Sequence, residues 1–90
     1  MNANDNSNIL NNIPRLQWAC RRGMLELDVL LGNFLSEAYP SLSTEDKQLF
    51  VELLKTEDPS LFAWLMGHEE VPESYAYMVN LIRQHAYTRN

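Results

Sequence analysis

The stretch MLELDVLLGNFLSEAYP, residues 24–40, decides the fold. Its residues Met24, Leu27, Leu31, Phe34, Leu35 and Ala38 recur at intervals of three and four, which sets them on one stripe of an α-helix. That spacing predicts a helix to about Tyr39, ended by Pro40. Upstream, Ile13, Leu16, Gln17 and Cys20 fall near helical spacing, and Pro14 is tolerated in a first turn where its missing N–H costs nothing. A short first helix is therefore expected to end near Arg21. Gly23 then stands where a helix end or a tight turn needs a residue free of Cβ strain.

Downstream, the same reading gives three more helices. Ser43 followed by Asp46 resembles a capping box with Asp in place of Glu, opening a helix that buries Leu49, Phe50, Leu53 and Leu54. Asp58 and Pro59 read as an N-cap and first-turn pair, and Gly67 as the cap at the other end of a short helix from Pro59 to Met66. After Pro72, the residues Tyr75, Met78, Val79 and Ile82 repeat at helical spacing up to about Tyr87. No stretch alternates apolar and polar residues for long enough to make a strand, and no Asn-Gly or Asp-Gly hairpin signal occurs. The expected fold is all-α, a single-domain five-helix bundle whose short connections favour antiparallel neighbours. Six of the first twelve residues are Asn, which competes with helical hydrogen bonds through local turns. Residues 1–8 are thus expected to be a flexible arm ahead of a helical domain over residues 9–90.

Ninety residues, 46% hydrophobic and 21% charged, suit one small domain and leave no room for a second. The apolar stretches fall far short of the roughly 20 residues that a membrane-crossing helix needs. Met1 to Asn12 has neither the basic nor the apolar region of a signal peptide, and a lone Cys20 suits a reducing compartment, so a cytoplasmic location is expected. The net charge of −5 is uneven: every acidic side chain except Asp5 lies in residues 23–73, where Lys47 and Lys55 are the only basic ones. Such a segment repels phosphate and anionic lipid, which argues against nucleic acid or a membrane surface as partner. A protein partner with a basic patch remains compatible.

Candidate chemistry is sparse. His68, Glu69, Glu70 and His85 lack the paired spacing of metal ligands, so no metal site is expected. Nothing supplies Cys20 with an orienting third group or an oxyanion hole, and it reads as a small buried apolar side chain. Glu26 and Asp28 are two residues apart and would point about 200° away from each other on a helix, so they cannot share a substrate atom. The three glycines are ungrouped and form no phosphate-cradling loop, which argues against tight binding of FAD by the chain itself. Intrinsic enzyme activity is not expected, and no catalytic residue is assigned.

One segment stands apart. Residues 18–28, WACRRGMLELD, gather an aromatic ring, two guanidinium groups, a glycine and two carboxylates around one helix junction. Trp and Arg are frequent interface hot spots, and a glycine lets another backbone approach closely. A purely structural reading stands beside this one: Arg22 and Glu26 as an i,i+4 pair, Gly23 as a helix cap and Trp18 in the core. Such a pair contributes only about 0.3–0.5 kcal/mol, which is little structural reason for the cluster.

Arg22-Gly23-x-x-Glu26-x-Asp28 resembles the RGxxE signature of the SdhE family of FAD assembly factors, bacterial relatives of the mitochondrial succinate dehydrogenase assembly factor. Arg15 and Trp18-Ala19-Cys20-Arg21 precede it as in that family, and DPSLFAWLMG, residues 58–67, resembles its second shared block. The resemblance spans about residues 13–85. It implies a small five-helix protein that binds the flavoprotein subunit of succinate dehydrogenase or fumarate reductase. There it would favour the self-catalysed bonding of a histidine to the 8α carbon of FAD, while holding no FAD tightly itself. By position, Arg15, Arg22, Gly23, Glu26 and Asp28 would form the partner-binding surface, with Trp18 beside it or in the core. The free protein is expected to be a monomer. The alternative carried by the same resemblance is an antitoxin-like partner of a small membrane toxin.

Overall fold

The computed structural model describes residues 9–88, and the arm expected over residues 1–8 lies outside them. Residues 9–11 are helical, and five further α-helices and one 3-10 turn follow them among the described residues: α1 (Ile13–Ala19), α2 (Leu25–Glu37), the turn Tyr39–Ser41, α3 (Thr44–Leu53), α4 (Asp58–Met66) and α5 (Glu73–Thr88). The described residues contain no strand. The all-α expectation holds.

Packing follows the apolar stripes. Leu27, Leu31, Phe34 and Leu35 of α2 are buried, as are Phe50 and Leu53 of α3 and Met78, Val79 and Ile82 of α5. The three aromatic rings Phe34, Tyr39 and Phe50 meet at the centre, with centroids 5.4 Å apart for Phe34 and Phe50 and 5.3 Å for Tyr39 and Phe50. Tyr39 is fully buried, and its hydroxyl donates to the Leu10 carbonyl at 2.8 Å, so the polar tip that burial would leave stranded is satisfied. α4 is apolar round most of its circumference because it lies inside: Leu61, Ala63, Trp64 and Leu65 are buried, and Trp64 stacks on Tyr75 at 5.6 Å.

The helix ends differ in detail from the expected ones. α2 stops at Glu37 rather than near Tyr39, and Pro40 sits inside the following 3-10 turn. Proline disfavours helical backbone at the residue before it, so α2 closes ahead of it. Ser43 Oγ accepts from the Asp46 N–H at 3.1 Å, which is half of the expected box. The Asp46 carboxylate accepts instead from the Tyr77 hydroxyl at 2.9 Å, joining α3 to α5. Gly67 has φ +78 and closes α4 as expected, with the His68 N–H donating to the Ala63 carbonyl and the Gly67 N–H to the Trp64 carbonyl. Asp58 is not the N-cap of α4: Glu57 holds that position without a side-chain capping bond, and Asp58 is the first helical residue. Its carboxylate is engaged elsewhere.

Candidate partner-binding site

The junction between α1 and α2, residues 20–24, is built around Gly23. Its φ of +84 is left-handed, a conformation that costs other L-residues about 1–2 kcal/mol, so glycine is required by the turn itself. No atom lies within 4 Å of where a Cβ would project, so the outer side of the turn is open. From this turn the chain enters α2 with Leu25, Glu26, Leu27 and Asp28.

The two carboxylates of that first helical turn go opposite ways. Asp28 points back under the turn, where its Oδ1 accepts from the Arg22 N–H at 2.6 Å. Glu26 is exposed and makes no hydrogen bond or ion pair among the described residues. Leu27, between them, is fully buried and fixes the roll of the helix. The angular separation expected for residues two apart is thus realised, with one carboxylate structural and the other presented.

Arg22 does not pair with Glu26. Its guanidinium, with the side chain only 12% exposed, reaches across to the link between α3 and α4. Nε donates to Asp58 Oδ1 at 3.1 Å, Nη1 and Nη2 donate to the Leu54 carbonyl at 3.1 and 2.8 Å, and Nη2 donates to the Thr56 carbonyl at 2.7 Å. The last carbonyls of a helix have no intrahelical partners and carry the negative end of its dipole, so a planar cation with several N–H groups suits this end of α3. Neither the bonds of the Arg22 guanidinium nor the role of Asp58 was visible in the sequence, because they join residues 32 to 36 apart. The shared presence of both blocks was the only available signal.

The remaining candidates lie on the outside. Arg15 is exposed on α1, and Trp18, three residues on and so on a neighbouring position of the same side, is 75% exposed. The core placement of Trp18 is excluded. Leu25 is 74% exposed and Val29 is also exposed. Together with Glu26, Leu30 and Met66 they line an open, shallow groove between α2 and the end of α4. Two exposed apolar side chains, two half-buried ones and one carboxylate therefore lie together beside the turn.

Cys20 forms the inner side of the junction. It is buried, and burial pushes its thiol from 9.0 up to about 11, which leaves a neutral, weakly nucleophilic group at ordinary pH. His68 packs against the Phe62 ring, while His85 Nε2 lies 3.0 Å from Glu37 Oε1 and edge-on to Phe34. Among the described residues no three His, Cys, Asp or Glu side chains converge on a point that could hold a metal ion, and no helix is long and apolar enough to cross a membrane.

Comparison with known proteins shows the family. The family described as the flavinator of succinate dehydrogenase matches residues 14–86. The chain is 58% identical over 78 residues to the FAD assembly factor SdhE of Shewanella oneidensis, covering 86% of this chain and 95% of that one. It is 61% identical over 71 residues to the FAD assembly factor SdhE of Colwellia psychrerythraea, covering 77% and 78%. The solution structure of a UPF0350 protein superposes with a TM-score of 0.69 at 45% identity, covering 84% of this chain and 82% of that one.

Proposed function

The chain belongs to the family of FAD assembly factors described as the flavinator of succinate dehydrogenase, and from that premise we propose how its surface serves the task. It binds the flavoprotein subunit of succinate dehydrogenase, and that of fumarate reductase, through the face built on Arg15, Arg22, Gly23, Glu26 and Asp28. There it promotes covalent attachment of FAD to a histidine of the subunit. It works as a cytoplasmic monomer when free and holds no FAD tightly; the flavin stays in the partner. The family description and the relatives support this reading and not that of a membrane toxin's partner.

The observation that carries it is the contrast at the start of α2: Glu26 stands exposed and unpaired among the described residues, on a turn tied down from behind by Arg22 and Asp28. A carboxylate held on a fixed turn, next to exposed Leu25 and Val29, offers a charge contact beside apolar surface that binding would remove from water. Arg22 and Asp28 act in this face by shaping the turn, and Gly23, Glu26 and Arg15 by meeting the partner.

The physical logic needs no chemistry from this chain. Bonding a flavin carbon to a histidine nitrogen demands close alignment and stabilised charge on the ring, both available within a correctly closed flavoprotein. A small binder with higher affinity for the closed arrangement shifts its population by that difference in affinity. Binding of a fluorescently labelled chain to FAD-loaded, unlinked flavoprotein tests the face directly. Glu26→Ala and Leu25→Ser should each weaken the complex with circular dichroism unchanged. Wild-type affinity in both variants would place the interface elsewhere.

A further inference from the structure

The guanidinium of Arg22 joins the two sequence blocks into one device. We infer that Asp58 is a positioning residue for the partner-binding face: through Arg22 it holds the turn that presents Gly23 and Glu26. This rests on the reading of that face given above. It extends the working part of the molecule to the α3–α4 link.

The mechanical path is short and fully bonded. Asp58 and the carbonyls of Leu54 and Thr56 fix the Arg22 guanidinium in place by accepting four hydrogen bonds of 2.7–3.1 Å from its three nitrogens. The backbone N–H of Arg22 donates to Asp28 Oδ1 at 2.6 Å. Arg22 is thereby held at both ends, and Gly23, with its unstrained left-handed φ, is the next residue along. Glu26 follows within one turn of α2, so its direction in space is set by the helix whose entry this bond pair fixes. Removal of Asp58 leaves Nε–H in a half-buried site without its acceptor and frees the guanidinium to leave the α3 terminus. The turn then samples other entries into α2, and the partner must pay to select the right one.

The planar fork is what the geometry uses. A lysine at position 22 would keep the positive charge yet could not reach an aspartate and two carbonyls from one nitrogen in this arrangement. Asp58→Asn keeps an acceptor oxygen for Nε while losing the charge.

The test is a double-mutant cycle read in covalent flavinylation of the purified flavoprotein subunit with excess FAD, titrating each full-length variant. Asp58→Ala and Arg22→Lys should each raise the concentration needed for half-maximal acceleration about tenfold, with Asp58→Asn recovering most of the loss. In a Glu26→Ala background Asp58→Ala should add little to the titration, because the residue being positioned has gone, while amide exchange of Arg22 and Gly23 should speed up wherever Asp58 is replaced and stay as in the wild type in the single Glu26→Ala variant. Full additivity of the two effects would overturn the inference, since a merely destabilising substitution acts whether or not Glu26 is present. So would a wild-type titration by Asp58→Ala and Arg22→Lys with only the melting temperature lowered. If Asp58→Ala does not fold, Arg22→Lys carries the cycle. A Glu26→Ala protein that titrates like the wild type would instead strike at the reading of the face.

Discussion

The centre of the bundle and the α1–α2 junction are held together by different forces. At the centre, Phe34, Tyr39 and Phe50 are excluded from water by Leu27, Leu31, Leu53 and Ile82, and nearly all of the stabilisation is burial of apolar area. At the junction the ties are directed bonds from one arginine to two aspartates and two backbone carbonyls, and the apolar side chains Trp18 and Leu25 are left in solvent. The centre can spare geometry but not volume; the junction can spare volume but not geometry. Substitutions in the first region should therefore act through stability, and those in the second through what the surface presents.

The sharpest way to separate the two begins with the largest effect. Phe50→Ala removes a fully buried ring that touches two others, and should lower unfolding free energy by about 3–5 kcal/mol in urea denaturation. Trp64→Ala, buried against Tyr75, belongs near the lower end of that range. A loss below about 1 kcal/mol in Phe50→Ala would mean that the centre is not organised by burial.

Alkaline pH probes the inner side of the junction. The unfolded thiol of Cys20 ionises around 9.0 while the folded one holds its proton to about 11, so ionisation favours the unfolded chain across that window. Stability present below pH 9 should fall as pH rises towards 11, and Cys20→Ala should flatten part of the slope. Burial also raises the Tyr39 phenol, which extends the loss to higher pH. An equal slope in Cys20→Ala and wild type would show that the thiol is not protected by burial.

Much of the centre was legible because helical periodicity is a local property. Leu27, Leu31, Phe34 and Leu35 declare their shared face by spacing alone, and Gly67 declares the end of α4 by its position. The junction was legible only as a concentration of residue types. Which carboxylate faces in, that Arg22 bonds to the α3–α4 link rather than to Glu26, and that Asp58 serves Arg22 rather than capping α4 all depend on contacts between distant segments. No periodicity encodes them. Trp18 illustrates the same limit, since the sequence left its ring either beside the partner-facing surface or in the core, and only the roll of the helix places it outside.

Smaller effects refine the contrast. Gly23→Ala should cost about 1 kcal/mol through its left-handed φ, whereas Gly32→Ala, inside α2 with nothing near its Cβ, should gain up to about 1 kcal/mol from helix propensity. Matching thermal shifts of one sign for both would contradict the assigned backbone at Gly23. Smallest of all in stability is Glu26→Ala, expected within about 0.5 kcal/mol of the wild type because the side chain is exposed and unpaired among the described residues. This variant should nonetheless be the most damaging to function, and in it the two regions separate completely.

Covalent flavin fluorescence of the flavoprotein subunit in a denaturing gel tests this most directly, after incubation with FAD alone, with the wild-type chain, and with an equally stable Glu26→Ala chain. The account predicts a band that grows fastest with the wild type and falls back towards the FAD-only rate with the variant. Equal acceleration by both chains, or none by the wild type on a competent subunit, would contradict it.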